Sequence, residues 1–162
     1  MKLTRSSVHS SQLLHLTLTL LAMASIVSCS DSTSPRATAC PDELSSVTAT
    51  VSVGSSVNLN WSPACPVALV LIEDLDGADQ WVVHMPDEAY GSPSTANKIP
   101  PPITYGQAPT GISGMAADDA VDLVPGRSYN LILWKILPMG STASCMSRSG
   151  DACLLAVQPF TR

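Results

Sequence analysis

Val47-Thr48-Ala49-Thr50-Val51-Ser52-Val53, then Gly54-Ser55-Ser56, then Val57-Asn58-Leu59-Asn60-Trp61 is the stretch that decides the fold. Apolar side chains alternate with hydroxyl or amide side chains on both sides of a short Gly/Ser break, and a period of two puts one set on a buried face and the other in water. The stretch therefore predicts an antiparallel hairpin with one wet face. Working outward, Pro66 to Glu73 carries Val67-Ala68-Leu69-Val70-Leu71-Ile72, and Gln80 to Met85 carries Trp81-Val82-Val83. Between them Asp74-Leu75-Asp76-Gly77-Ala78-Asp79 supplies an Asp-Gly turn, which predicts a second hairpin.

Tyr129 to Ile136 and Cys153 to Phe160 read as two further strands, with Pro159 suited to a sheet edge. Pro86 to Gly114 is broken repeatedly by proline and glycine, which predicts a long irregular connection. Residues 115 to 122 fit a short strand or one helical turn, and the sequence leaves the two open. The expected fold class is all-β, a sandwich of two sheets.

The chain has 162 residues, 45% apolar and 13% charged, enough apolar surface for one folded domain. Thirteen acidic against eight basic side chains give a net charge of −5. With no Lys/Arg run, that balance argues against nucleic acid as a partner.

The N-terminus reads as an export signal. Lys2 and Arg5 precede an apolar run from Leu13 to Val27 that ends in small residues. Ile26-Val27-Ser28-Cys29 resembles the bacterial lipobox, which implies cleavage before Cys29, a diacylglyceryl thioether on its sulfur, and palmitate as a further acyl group. The expected organisation is a lipoprotein signal peptide at 1–28, a lipidated cysteine and tether at 29–43, and the sandwich at 44–162. Loss of Lys2 and Arg5 leaves six basic against thirteen acidic residues, a mature charge of −7. The resemblance implies a membrane-anchored protein of the bacterial cell envelope, at the outer rather than the inner membrane.

The remaining cysteines are Cys40, Cys65, Cys145 and Cys153, an even set that reads as two disulfides in an exported chain. A zinc site is the rival reading and fails on spacing, since there is no C-x-x-C and His84 is the one histidine after the signal.

Leu123-Val124-Pro125-Gly126-Arg127-Ser128-Tyr129 resembles the loop before strand F of fibronectin type III domains, an immunoglobulin-like fold. The resemblance implies that Leu123 and Pro125 pack the loop, Gly126 makes its turn, and the Tyr129 hydroxyl bonds back to the loop backbone as a tyrosine corner. Trp61 corresponds to the core tryptophan of strand B in that family. The chain departs from the pattern at Pro86 to Gly114, which is longer and richer in proline, so strand E of the smaller sheet has no clear counterpart. On this topology the ends of the first hairpin bring Cys40 beside Cys65, and Cys145 and Cys153 close the FG loop. A crossed pairing is geometrically open as well.

Motifs that could carry chemistry are weak. Asp74, Asp76 and Asp79 around Gly77 lack EF-hand spacing and read as a hairpin turn. Gly111-Ile112-Ser113-Gly114 lacks the spacing of a nucleophile elbow, and His84 reads as an ordinary strand residue. Asp42-Glu43, Asp87-Glu88 and Asp118-Asp119 are sequence neighbours that point different ways on extended chain. The expectation is no catalytic site, no metal and no cofactor.

The runs Pro66 to Glu73, Tyr129 to Ile136 and Cys153 to Phe160, unlike the first hairpin, are apolar on both faces. If Tyr129, Leu131 and Leu133 face the core, then Ile132, Trp134 and Ile136 face outward and need cover. The proline-rich segment, with Ile99, Pro100, Pro101, Pro102, Ile103 and Tyr105, is expected to fold over them. The other reading is a surface for a protein or glycan partner centred on Trp134. Together these features predict a lipid-anchored binding or structural module. The alternative is a small exported hydrolase or carbohydrate-binding domain, in which Trp81, Trp134, Tyr90 and Tyr105 would stack on sugar as coplanar exposed rings.

Overall fold

A computed structural model describes residues 47–162. Cys29, Cys40, the signal at 1–28 and the tether at 29–43 lie outside the described residues. The described chain is an all-β sandwich of two antiparallel sheets. Its strands are β1 (Thr48–Val53), β2 (Val57–Ser62), β3 (Leu69–Asp74), β4 (Asp79–His84), β5 (Ile103–Thr104), β6 (Ala116–Ala117), β7 (Ser128–Ile136), β8 (Ser147–Ser149) and β9 (Ala152–Thr161). The small sheet has the order β1-β2-β5 and the large sheet β6-β4-β3-β7-β9-β8.

The opening stretch pairs from Thr48↔Ser62 to Val53↔Val57, so its alternation becomes a physical division. Val57, Leu59 and Trp61 are buried, while Asn58, Asn60 and Ser62 are exposed. The second hairpin turns at Asp74 to Gly77, where the Gly77 N–H donates to Asp74 O at 3.1 Å and Gly77 takes φ 81°. A positive φ costs glycine little and other residues more, which explains Gly at that position. The Asp74 carboxylate is itself buried and accepts the N–H groups of Asp76 and Ala78 at 3.0 and 2.9 Å. It is committed to holding the turn.

Between the sheets lie Leu59, Trp61, Val70, Ile72, Trp81, Val83, Tyr129, Leu131, Leu133 and Leu155, in one contiguous core. Each large apolar side chain removed from water here contributes about 1.5–3 kcal/mol, which is why the inner rows tolerate so few polar residues.

The proline-rich segment corrects an expectation. Its apolar residues do not lie over the outer face of the large sheet. Ile99 and Ile103 belong to the core, and Tyr105 packs against it. The segment holds a 3₁₀ turn (Asp87–Gly91) and a one-turn helix α1 (Pro93–Ala96). It then bridges Val67↔Ile99 and supplies β5 through Asn58↔Thr104 and Leu59↔Ile103. The third strand of the small sheet is therefore two residues inside the segment that reads as irregular. Two residues of pairing carry no periodicity, so composition hides them. The segment lies along the open side of the sandwich because the apolar gap between β2 and β4 offers Ile99 and Ile103 more burial than the outer face would. Residues 116 and 117 resolve the other open point as strand β6, paired with His84 and Val83.

Candidate functional site

The feature with most scope for recognition is the outer face of the large sheet. On β7, Leu131 and Leu133 are fully buried in the core, so Ile132 between them points the other way. Register then lines up one outer row, Val82–Leu71–Ile132–Val157. A second row runs His84–Leu69–Trp134–Leu154–Ser147. A bulge between Leu133 and Trp134, facing Ala156 and Leu154, leaves Leu155 in the core and keeps Trp134 and Leu154 together outside. Val82, Leu71, Leu69, Trp134, Leu154 and Ile136 are half-buried, whereas Ile132 in the middle is only 9% exposed. Ile132 is thus the least exposed residue of the two rows. Below the two rows, half-buried Glu73 and Asn130 form a polar margin.

The loop before β7 is held from within. The Val124 N–H donates to the Tyr129 hydroxyl at 2.8 Å, while the Tyr129 ring is buried and lies 5.7 Å from Phe160. Gly126 takes φ 79° in this turn and its N–H donates to Arg162 O. Leu123 packs against the core and Pro125 is exposed in the turn. Trp61, at 2% exposure, donates its indole N–H to Cys65 O at 2.7 Å. Cys145 and Cys153 form a disulfide with Cα atoms 5.6 Å apart. Cys65 is also disulfide-bonded.

Trp81 and Tyr105 do not form a sugar platform. Trp81 is buried, and its ring meets Tyr105 edge-on, with centroids 5.3 Å apart and planes at 62°. The Tyr105 hydroxyl is engaged by Gln80 O and Val121 O. Burial, with smaller effects from Tyr129 and Asp122, pushes its pKa up to about 12. Tyr90 is half-buried on the 3₁₀ turn, where burial and then Asp87 raise its pKa. Trp134 alone of the four lies on the outer face.

Chemistry-bearing groups stay apart. The His84 Nδ1–H donates to Met85 O at 2.8 Å, and Ser113 lies in an open depression of about 680 Å³ with Met85, Glu88, Thr95 and Lys98. Among the described residues no three His, Cys, Asp or Glu side chains are placed to hold a metal ion. No buried side-chain nitrogen or oxygen among them lacks a hydrogen-bond partner.

Two side chains that sequence reading passes over turn out to organise the end of the sandwich. The Asn97 amide donates to Ile136 O at 2.7 Å and its oxygen accepts the Ile136 N–H at 2.9 Å, a backbone-like pairing from a loop. Arg148 donates to Ser141 O at 2.6 Å and Ala143 O at 3.1 Å. Neither sits in a periodic run, so no pattern announces it. The apolar partners of Trp134 were legible in principle, because every second residue of the run from Val67 to Ile72 must leave the core.

No protein-family model, no curated protein and no solved structure matches this chain.

Proposed function

We propose that this chain is a lipid-anchored protein of the bacterial cell envelope whose sandwich is a non-catalytic binding module. Its contact surface is the outer face of the large sheet around Trp134. The observation that carries this reading is the pair of apolar rows on that face, with the proline-rich segment packed into the core instead of over them. A water-facing sheet normally alternates to polar residues on its wet side, as β1 and β2 do here. The anchor rests on the lipobox resemblance at Cys29.

We further read the sandwich as fibronectin type III-like. The order β1-β2-β5 against β4-β3-β7-β9 corresponds to the A-B-E and C′-C-F-G sheets of that family, and the Tyr129–Val124 bond has the geometry of its tyrosine corner. The buried, edge-on Trp81 and Tyr105 weigh against the sugar-platform alternative.

Substituting Trp134→Gln tests the surface. The variant is expected to keep its melting temperature within a few degrees, since the lost burial is partial and about 1 kcal/mol corresponds to roughly 4–8 °C in a domain of this size. It should also lose crosslinking, in intact cells, from a photoreactive residue placed at position 154. A drop of more than about 10 °C would instead make Trp134 a structural residue and overturn the binding reading.

A further inference from the structure

Strand β1 forms one edge of the small sheet, and its backbone is open there. The Tyr105 N–H donates to Val57 O at 2.9 Å, so the Val57 peptide groups face β5 and not β1. Bonded and open pairs alternate along an antiparallel ladder, which leaves Ser52, Thr50 and Thr48 bonded to Asn58, Asn60 and Ser62. The N–H and C=O groups of Ala49, Val51 and Val53 therefore point away from β2. Among the described residues none of these six groups has a partner.

The other sheet edges are blunted. β5 and β6 have two residues each, β8 has three, and the free part of β9 carries Pro159. β1 has six residues, with no proline, glycine or charge and no break in register. Short strands, prolines, charges and bulges are the means by which proteins close a sheet edge to other chains. An edge that uses none of them accepts another extended strand through its backbone.

Symmetry and charge single out a second copy as that strand. A two-fold axis through Val51 sets Val51 opposite its own copy and Ala49 opposite Val53 of the second copy, so hydrogen bonds use every free group of the edge. Val53, 43% exposed, and half-buried Val51 then gain apolar neighbours across the seam. On the wet side Thr50 stands opposite Ser52 of the second copy. The chain is acidic, thirteen against eight, yet Thr48, Thr50 and Ser52 beside Asn58, Asn60 and Ser62 give the small sheet an uncharged exposed face. Arg162 reaches the hairpin at its turn, on Gly54 O at 2.7 Å, while Asp42 and Glu43 precede Val47 outside the described residues. Two acidic molecules repel each other least where both are neutral.

We infer that two copies of this chain join through β1, antiparallel about Val51, into one continuous sheet of order β5-β2-β1-β1-β2-β5. Each copy has one such edge, so the assembly closes at two. The seam is smaller than the roughly 1,200–2,000 Å² of stable interfaces, and the dimer is correspondingly weak. It uses neither Cys29 nor the outer face of the large sheet, and so stands apart from the function proposed above.

The test is native mass spectrometry of the full-length chain, released from detergent micelles over a series of protein concentrations. The parent is expected to show a dimer whose share grows with concentration. Two double variants at exposed positions then probe the register. Thr50→Lys/Ser52→Glu places two opposite-charge pairs across the seam, and Thr50→Lys/Ser52→Lys places two like-charge pairs. The dimer of the second is expected to dissociate at least about tenfold more readily than that of the first. General repulsion between acidic molecules predicts the reverse order, because the second variant is the less acidic of the two. A parent that stays monomeric throughout, equal dissociation constants for the two variants, or the reverse order overturns the inference. So does a dimer that Trp134→Gln abolishes, which would place the contact on the outer face of the large sheet.

Discussion

The four central strands of the large sheet, β4, β3, β7 and β9, present two faces with opposite fates. Inward, Val70, Ile72, Trp81, Val83, Leu131, Leu133 and Leu155 meet the small sheet and are buried. Outward, Leu71, Val82, Trp134 and Leu154 are of the same chemical class and remain half-buried. Hydrophobicity alone therefore does not place a residue in the core here. What decides is whether a second layer lies across from it, and the proline-rich segment spends Ile99 and Ile103 on the inner side.

That contrast can be broken most strongly at its inner row. Leu131→Ala is expected to destabilise the domain by about 3–5 kcal/mol in chemical denaturation, since the site is enclosed on both sides and cannot collapse. Leu71→Ala, on the opposite face of the neighbouring strand, should cost about 1 kcal/mol or less because solvent fills the gap. Similar losses from the two would mean that the outer face is covered.

The end of the sandwich gives an intermediate effect. Cys153 is buried in the inner row opposite Lys135, whose pKa is lowered by burial, and its partner Cys145 is half-buried. Replacing Cys145 and Cys153 together by alanine should lower stability by about 2–3 kcal/mol, chiefly by freeing the unfolded chain. Urea midpoints of the double variant and the parent would measure it.

The last effect is absent near neutral pH and appears only in alkali, as a pH dependence on the side that the proline-rich segment closes. The folded chain keeps Tyr105 protonated up to about 12, whereas an unfolded tyrosine ionises near its ordinary value of 10. The folded state thus binds more protons in that window, and stability should fall as pH rises from about 10 to 12. In Tyr105→Phe this part of the alkaline decline should disappear, leaving a flatter curve of melting temperature against pH. An unchanged slope would show that the hydroxyl is not held by Gln80 and Val121.

Much of this was readable from residues. The alternation from Val47 to Trp61 gave β1 and β2, and the Asp-Gly turn gave β3 and β4, since period and turn chemistry are local properties. The sequence left a local and a crossed pairing of the cysteines open, and the Cys145–Cys153 bridge is the local one. Strands β5 and β8 escaped, and β6 stayed open against a helical turn, because two or three residues of pairing are set by what lies beside them in space. Ile99 and Ile103 escaped for the same reason. Their neighbours are prolines, and only the gap beside β2 determines which side of the molecule they fill. At the outer face, alternation located Ile132 and Trp134, but not the shielding that leaves Ile132 almost closed to solvent.

The two outermost strands of the large sheet are β6, of two residues, and β8, of three. β8 covers only Ala152 to Leu154 of β9, so the remainder of β9 ends the sheet on that side and carries Pro159, which has no N–H to offer. At the edges of the large sheet, a neighbouring molecule searching for a backbone to extend finds short stubs and a missing donor. Edge-to-edge growth of the large sheet into fibrils is thereby disfavoured, although its outer rows are apolar.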